Sequence, residues 1–99
     1  MTYVIRLRAE AESDLFDASA WYERQRKGLG QEFVDAIERA FDRISDNPLQ
    51  FPVMGRGIRR SLLSRFPFGV FFRIEPEQVT VLAVLHASRH PARWRERSP

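Results

Sequence analysis

The sequence contains no cysteine. A disulfide framework is therefore excluded, and with it the usual way in which small secreted domains make up for a modest core. Lysine is almost absent as well: Lys27 stands alone against fifteen arginines. No apolar run is long enough to span a bilayer, and residues 1–8 carry arginines at 6 and 8, unlike a signal peptide of the usual form. The expectation is a cytoplasmic protein without a membrane partner. Phosphate-binding loops, dinucleotide fingerprints and nucleophile triads are missing too. Gly28-Leu29-Gly30 joins two helical patterns and so reads as a hinge, not as a strand-to-helix phosphate cradle.

What is present is an ordinary apolar fraction, 43%, in 99 residues, which suits one domain over 1–99 with a single modest core. The charge is unevenly placed. Residues 1–50 hold seven cationic and ten anionic side chains, net −3, whereas residues 51–99 hold nine and three, net +6. From Arg56 to Arg73 there are five arginines and no acid. A planar guanidinium grips phosphate or carboxylate with two parallel bonds, so this run points to an anionic partner, either a nucleic acid or an acidic protein. A solvated sheet face, or pairing with Glu75, Glu77 and Glu96, is the plainer alternative.

Residues 3–8 alternate as a short strand. Ala11, Leu15, Ala18 and Tyr22 then recur at helical spacing, with acids at the start and Arg24, Arg26 and Lys27 at the end, where each sign complements the helix dipole. Phe33, Ile37, Ala40, Phe41 and Ile44 mark a second helix over about 31–46, ended by Asn47-Pro48. The short glycine link between the helices folds them into an antiparallel hairpin. Residues 49–57 read as a loop. Residues 58–64, 66–75 and 79–86 read as strands joined by short links, which makes an antiparallel meander. The last of these is apolar almost throughout and so is expected at the centre of the sheet. The predicted class is α+β in the order β-α-α-β-β-β, with the helical hairpin on one face of an antiparallel sheet and the other face at least partly exposed. The parity of Arg65 and Arg73 matches only if Pro67 introduces no bulge, so their common face stays open.

The candidate contact residues are Arg56, Arg59, Arg60, Arg65 and Arg73, with Arg89 and Arg93 from the tail. Trp21 and Tyr22 are consecutive on one helix and cannot both face inward. Trp94 either docks the tail or anchors an interface. His86 and His90 are four apart but flank Arg89 and precede Pro91, which spoils a metal pair. No metal or cofactor is expected. In a metal-free ribonuclease His86 or His90 would exchange protons while Arg65, Arg73 and Arg89 held the phosphate. The bland reading of His86 is a cap on a buried strand.

The residues also follow a known pattern. Ala11, Asp14 and Leu15 with Trp21-Tyr22, then Gly28-Leu29-Gly30 with Phe33, Asn47-Pro48 and Pro52, the run from Arg59 to Pro67, and the ending from Val81 to Pro91 together resemble the RelE/ParE toxin superfamily, on its ParE-like, plasmid-stabilisation side. The resemblance covers nearly the whole chain. It implies a toxin held in check by a cognate ParD-like antitoxin, whose C-terminal segment lies along the hairpin and sheet. ParE-like members inhibit DNA gyrase and are not enzymes. RelE-like members cut messenger RNA in the ribosomal A site, relying on lysines or a glutamate in the sheet and a tyrosine or histidine near the C-terminus. This chain has no lysine after Lys27 and no tyrosine after Tyr22. The expectation is therefore gyrase inhibition through the sheet face and basic tail, with a ribosome-dependent endoribonuclease as the alternative.

Overall fold

A computed structural model of the chain describes residues 2–89 and 93–97. The first strand, β1 (Val4–Leu7), turns Ile5 and Leu7 toward the interior and leaves Val4 and Arg6 exposed. After one extended residue, Arg8, helix α1 (Ala9–Gln25) begins, with Glu10 and Glu12 in its first turn. Its fully buried positions are the small Ala11 and Ala18, which lets a second helix and the sheet approach closely.

That second helix, α2 (Leu29–Asp46), starts two residues earlier than its apolar stripe suggests. The reason is a side chain of α1. The Glu23 carboxylate accepts the backbone N–H of Gly28 at 3.0 Å and of Gly30 at 2.9 Å, which caps the first turn of α2 from outside. Gly28 makes the reversal with φ +91°. Gly30 is needed for a different reason: a Cβ there would stand 2.7 Å from the Ser19 carbonyl oxygen, so only glycine allows this helix contact. Phe33, Ala36, Ile37, Ala40 and Ile44 form the buried stripe of α2, and a 3-10 turn, Pro48–Gln50, follows it.

The sheet contains β2 (Val53–Gly55), β3 (Ile58–Leu62), β4 (Phe68–Ile74) and β5 (Gln78–His86), in the order β1-β5-β4-β3-β2. The expected antiparallel meander is present, with two additions. β1 joins parallel to β5, from Val4↔Gln78 to Leu7↔Val81, so the five-stranded sheet is mixed. β2 forms within the stretch read as a loop. Its hairpin to β3 turns through Arg56 (φ 53°) and Gly57 (φ 73°). Two successive left-handed residues suit a tight hairpin, and an arginine in the first of them is a weak turn signal.

β5 is buried without interruption from Val79 to Leu85. A bulge opposite Phe71 and Phe72 inserts Leu82, so Leu82 and Ala83 both turn away from the helices while Val81 and Val84 face them. The larger core lies between the hairpin and the sheet, around Phe33, Ile37, Phe72 and Val81. A smaller one lies on the outer face, where Ile58, Phe71, Leu82 and Leu85 are covered by Trp94 from the short helix α3 (Arg93–Glu96).

Candidate binding surfaces

The residues singled out in the sequence fall in three separate places. The first lies where α1 meets the ends of β4 and β5. Trp21, Tyr22, Pro67, Phe68, His86 and Arg89 line a pocket of about 240 Å³ there. Consecutive helix positions point about 100° apart, so Trp21 stays 45% exposed while Tyr22 turns inward. The Tyr22 ring stacks on Phe33 at 5.2 Å and meets Phe66 edge-on at 4.9 Å. Burial pushes its phenol above the ordinary value, and the nearby Arg89 charge opposes the rise. His86 packs edge-on to Phe68 at 5.6 Å, and its Nδ1 accepts the Ser88 backbone N–H at 3.2 Å. Arg93 lies in an adjoining depression, which Asp14 and Asp17 border on the α1 side.

The second place is the sheet face turned away from the hairpin. Strand register lines up Arg6, Thr80, Arg73 and Ile58 across four strands. Arg60 lies two residues along β3, opposite Phe71, with its stem against Gly69. Arg56 is exposed at the β2–β3 turn. This face is not free of acid. Glu75 sits beside it, and its carboxyl is held below the ordinary range by hydrogen bonds from the Thr80 hydroxyl and the Gln78 amide, with Arg73 and Arg8 adding to the effect.

The third place is the loop between β3 and β4. Arg65 does not lie on a strand. Its guanidinium donates to Glu32 at 2.8 Å, and Glu32 also pairs with Arg26 at 3.3 Å. The Arg65 hydrogen bond is the main reason that the Glu32 carboxyl lies below its ordinary value.

Three residues expected at a contact surface thus make contacts within the chain, Arg65 while remaining exposed. Arg59 turns to the hairpin side and donates to the carbonyls of Phe51 at 2.7 Å and Leu49 at 3.4 Å, so it holds the segment before β2. Arg65 is tied to α2. Trp94 docks the tail: it is 4% exposed and stacks on Phe71 at 5.5 Å with 12° between the ring planes. Its indole is therefore not a surface anchor. Arg65 and Arg73, whose common face was open, do not share one. His90 lies outside the described residues. Among those residues, no three His, Cys, Asp or Glu side chains gather where they could hold a metal.

Sequence reading assigned no role to Asp14 or Arg97 beyond charge. Asp14 belongs to the Ala-x-x-Asp-Leu pattern, which was the one available hint. Arg97 reaches it from the far end of the chain, and Arg8 in turn donates to the Arg97 carbonyl at 3.0 Å.

Comparison with known proteins agrees with this architecture. The toxin ParE2 of Mycobacterium tuberculosis is 32% identical over 95 residues, which covers 92% of this chain and 88% of that protein. A structure described as the chromosomal ParDE toxin–antitoxin system from P. aeruginosa superposes with a TM-score of 0.77 at 19% identity, covering 88% of this chain and 98% of that one. A mutant of E. coli RelE in the free state superposes with a TM-score of 0.71 at 11% identity, covering 99% and 95%. The two structural likenesses show the fold. The sequence pattern of the family described as the ParE toxin of the type II toxin–antitoxin system parDE matches residues 5–91, and the chain belongs to that toxin family.

Proposed function

We propose that this type II toxin acts on DNA gyrase, is not itself an enzyme, and is neutralised by a ParD-like antitoxin. The observation that carries the choice of target is the separation of the residues a ribonuclease would need together. His86 pairs across the sheet with Phe68, and Arg73 lies five residues further along β4, a separation of about 17 Å at ~3.4 Å per residue. Strand alternation also puts them on opposite faces, His86 beside Phe68 on the hairpin side and Arg73 on the outer side. Arg65 is paired with Glu32. Only His86 and Arg89 of that quartet adjoin. General acid–base chemistry needs its groups within hydrogen-bond reach of one reacting phosphate, and this spread does not provide that.

An inhibitor that works by docking needs no such convergence. It needs accessible cations on a rigid support, and Arg56 at the β2–β3 turn, the half-buried Arg60 and Arg73 on the outer sheet face, and Arg89 and Arg93 near the tail fit that requirement. An antitoxin partner is supported by the ParDE system among the structural relatives. Gyrase as target implies action in the cytoplasm; among the described residues no helix is long and apolar enough to cross a membrane.

The test is to add purified protein to a gyrase supercoiling assay and, separately, to translating ribosomes with primer-extension readout. Lost supercoiling with accumulated cleaved DNA and intact message is the expected result. Codon-positioned cleavage of message that disappears in His86→Ala would replace this reading with the endoribonuclease.

A further inference from the structure

The pocket between α1 and the ends of β4 and β5 has a chemistry that specifies what it takes. At about 240 Å³ it falls short of the ~300–1000 Å³ typical of small-molecule and cofactor sites and matches a single large side chain. Its walls are the Trp21 and Tyr22 rings, Pro67 and Phe68, and its polar groups are His86 and Arg89. No acid is among the lining residues, and the acids nearby, Asp14 and Asp17, border the adjoining depression. Asp14 is already occupied by Arg97. The pocket is therefore apolar inside and cationic at one side of its mouth.

Two of the lining rings, Tyr22 and Phe68, are poorly placed to stack on a nucleobase. A base binds by stacking on an open ring face. Here Tyr22 stacks on Phe33, with Phe66 packed edge-on against it. Phe68 packs against Tyr22, Phe33 and His86. Tyr22 and Phe68 are thereby engaged with other rings of the fold, and the exposed lining ring is Trp21, against which the methyl groups of a branched side chain or an incoming phenyl ring can pack.

We propose that this pocket is a docking point for the antitoxin, seating one aromatic or branched apolar side chain that is followed in the antitoxin chain by a carboxylate bound to Arg89. The inference rests on the toxin–antitoxin reading above and adds the chemistry of the contact. It has the form of an interface anchor: a large apolar group in a pocket, with a charge-assisted hydrogen bond at its rim.

The two tryptophans supply a built-in experiment, because Trp21 lines the pocket and Trp94 is buried on the other side of the sheet. The indole N–H signals of the full chain are followed by NMR while the capped peptide acetyl-Ala-Phe-Glu-Glu-amide is titrated in. The Trp21 signal is expected to shift saturably while Trp94 stays still, and Arg89→Gln is expected to weaken binding about tenfold. The unmoved Trp94 signal also reports that the variant is folded. Equal binding of acetyl-Ala-Phe-Lys-Lys-amide overturns the proposal, as does undiminished binding by Arg89→Gln. A Trp21 shift caused by a thymidine dinucleotide and not by the acidic peptide, or no shift with any probe at 10 mM, does so too. A parallel titration with a cognate ParD-like antitoxin separates the two levels of inference. If the wild-type chain binds it and Arg89→Gln binds it equally well, the pocket assignment falls and the antitoxin reading stands. If the wild-type chain does not bind it, the antitoxin reading falls.

Discussion

Arg97 closes a two-pronged ion pair on Asp14 across 83 residues of sequence, with N–O distances of 2.5 and 3.2 Å and both side chains largely buried. The pair stands at the edge of β5 just past the point where β1 ends, at Leu7↔Val81. Asp14 also accepts the Val84 backbone N–H at 3.0 Å, and Arg97 donates to the Leu82 carbonyl at 3.1 Å. Two side chains thus meet the backbone groups that a longer β1 would have paired. They also tether the tail to α1. Removing one partner leaves the other charge and a strand amide without their bonds, so Asp14→Ala is expected to lower unfolding free energy by about 3 kcal/mol. Urea denaturation of Asp14→Ala, Arg97→Ala and the double variant would show strong coupling. Losses that simply add would mean that the pair contributes nothing as a pair.

The helical hairpin depends on Gly30 for closeness and on Glu23 for capping. Gly30→Ala sets a Cβ against the Ser19 carbonyl, which is backbone and cannot swing aside. The expected loss is about 1–3 kcal/mol. Glu23→Ala removes the acceptor for two amides and is expected to cost about 1 kcal/mol, the scale of a lost helix cap. For a domain of this size each kcal/mol corresponds to about 4–8 °C in Tm. Wild-type melting in Gly30→Ala would show that the helices separate without cost.

Trp94 and Trp21 should be distinguishable by light. In Trp21→Phe the remaining indole, buried against Phe71, is expected to emit at short wavelength and resist acrylamide quenching. In Trp94→Phe the remaining Trp21 is expected to emit at longer wavelength and quench readily. Trp94→Ala empties the outer core, with an expected loss of about 3–5 kcal/mol. Similar quenching of both indoles would mean that α3 does not dock in solution.

Acid stability should depend on Glu32 and Glu75. Both carboxyls lie below the ordinary value of 4.5 in the folded chain, Glu32 chiefly through the hydrogen bond from Arg65 and Glu75 chiefly through that from Thr80. A depressed folded value means that the unfolded state takes up its proton first. Each contribution is therefore complete above pH 4.5 and is lost as pH falls through the lower folded value. Glu32→Gln and Glu75→Gln are each expected to flatten the fall in Tm below pH 5. Salt should weaken the Glu32 effect more, because that one rests on exposed ion pairs. Acid limbs parallel to wild type in both variants would rule this out.

The elements were legible where they rest on local periodicity. The apolar stripe of α2, the continuous burial of β5 and the reversal at Gly28 could all be read from spacing alone. β2 was not legible, because three residues directly after Pro52 carry no alternation and the turn puts an arginine where a glycine or asparagine is the usual sign. The start of α2 at Leu29 was missed because its cap comes from Glu23 in the preceding helix. In the candidate site, the inward turn of Tyr22 and the exposure of Trp21 followed from helix geometry. The roles of Arg59 and Trp94 did not, since each depends on what the chain brings up against it.

The sequence by itself determined the pattern of apolar and charged positions, and therefore the two helices, the four longer strands in their order and the basic second half. Those properties repeat within a few residues, at the helix and strand periods. Only the tertiary structure decided which arginines remain for a partner. A guanidinium chooses its acceptors in space, and the acceptors here are remote: Glu32 is 33 residues from Arg65, and Asp14 is 83 from Arg97. No local pattern carries that information, because it arises only when helix, loop and tail close around one sheet.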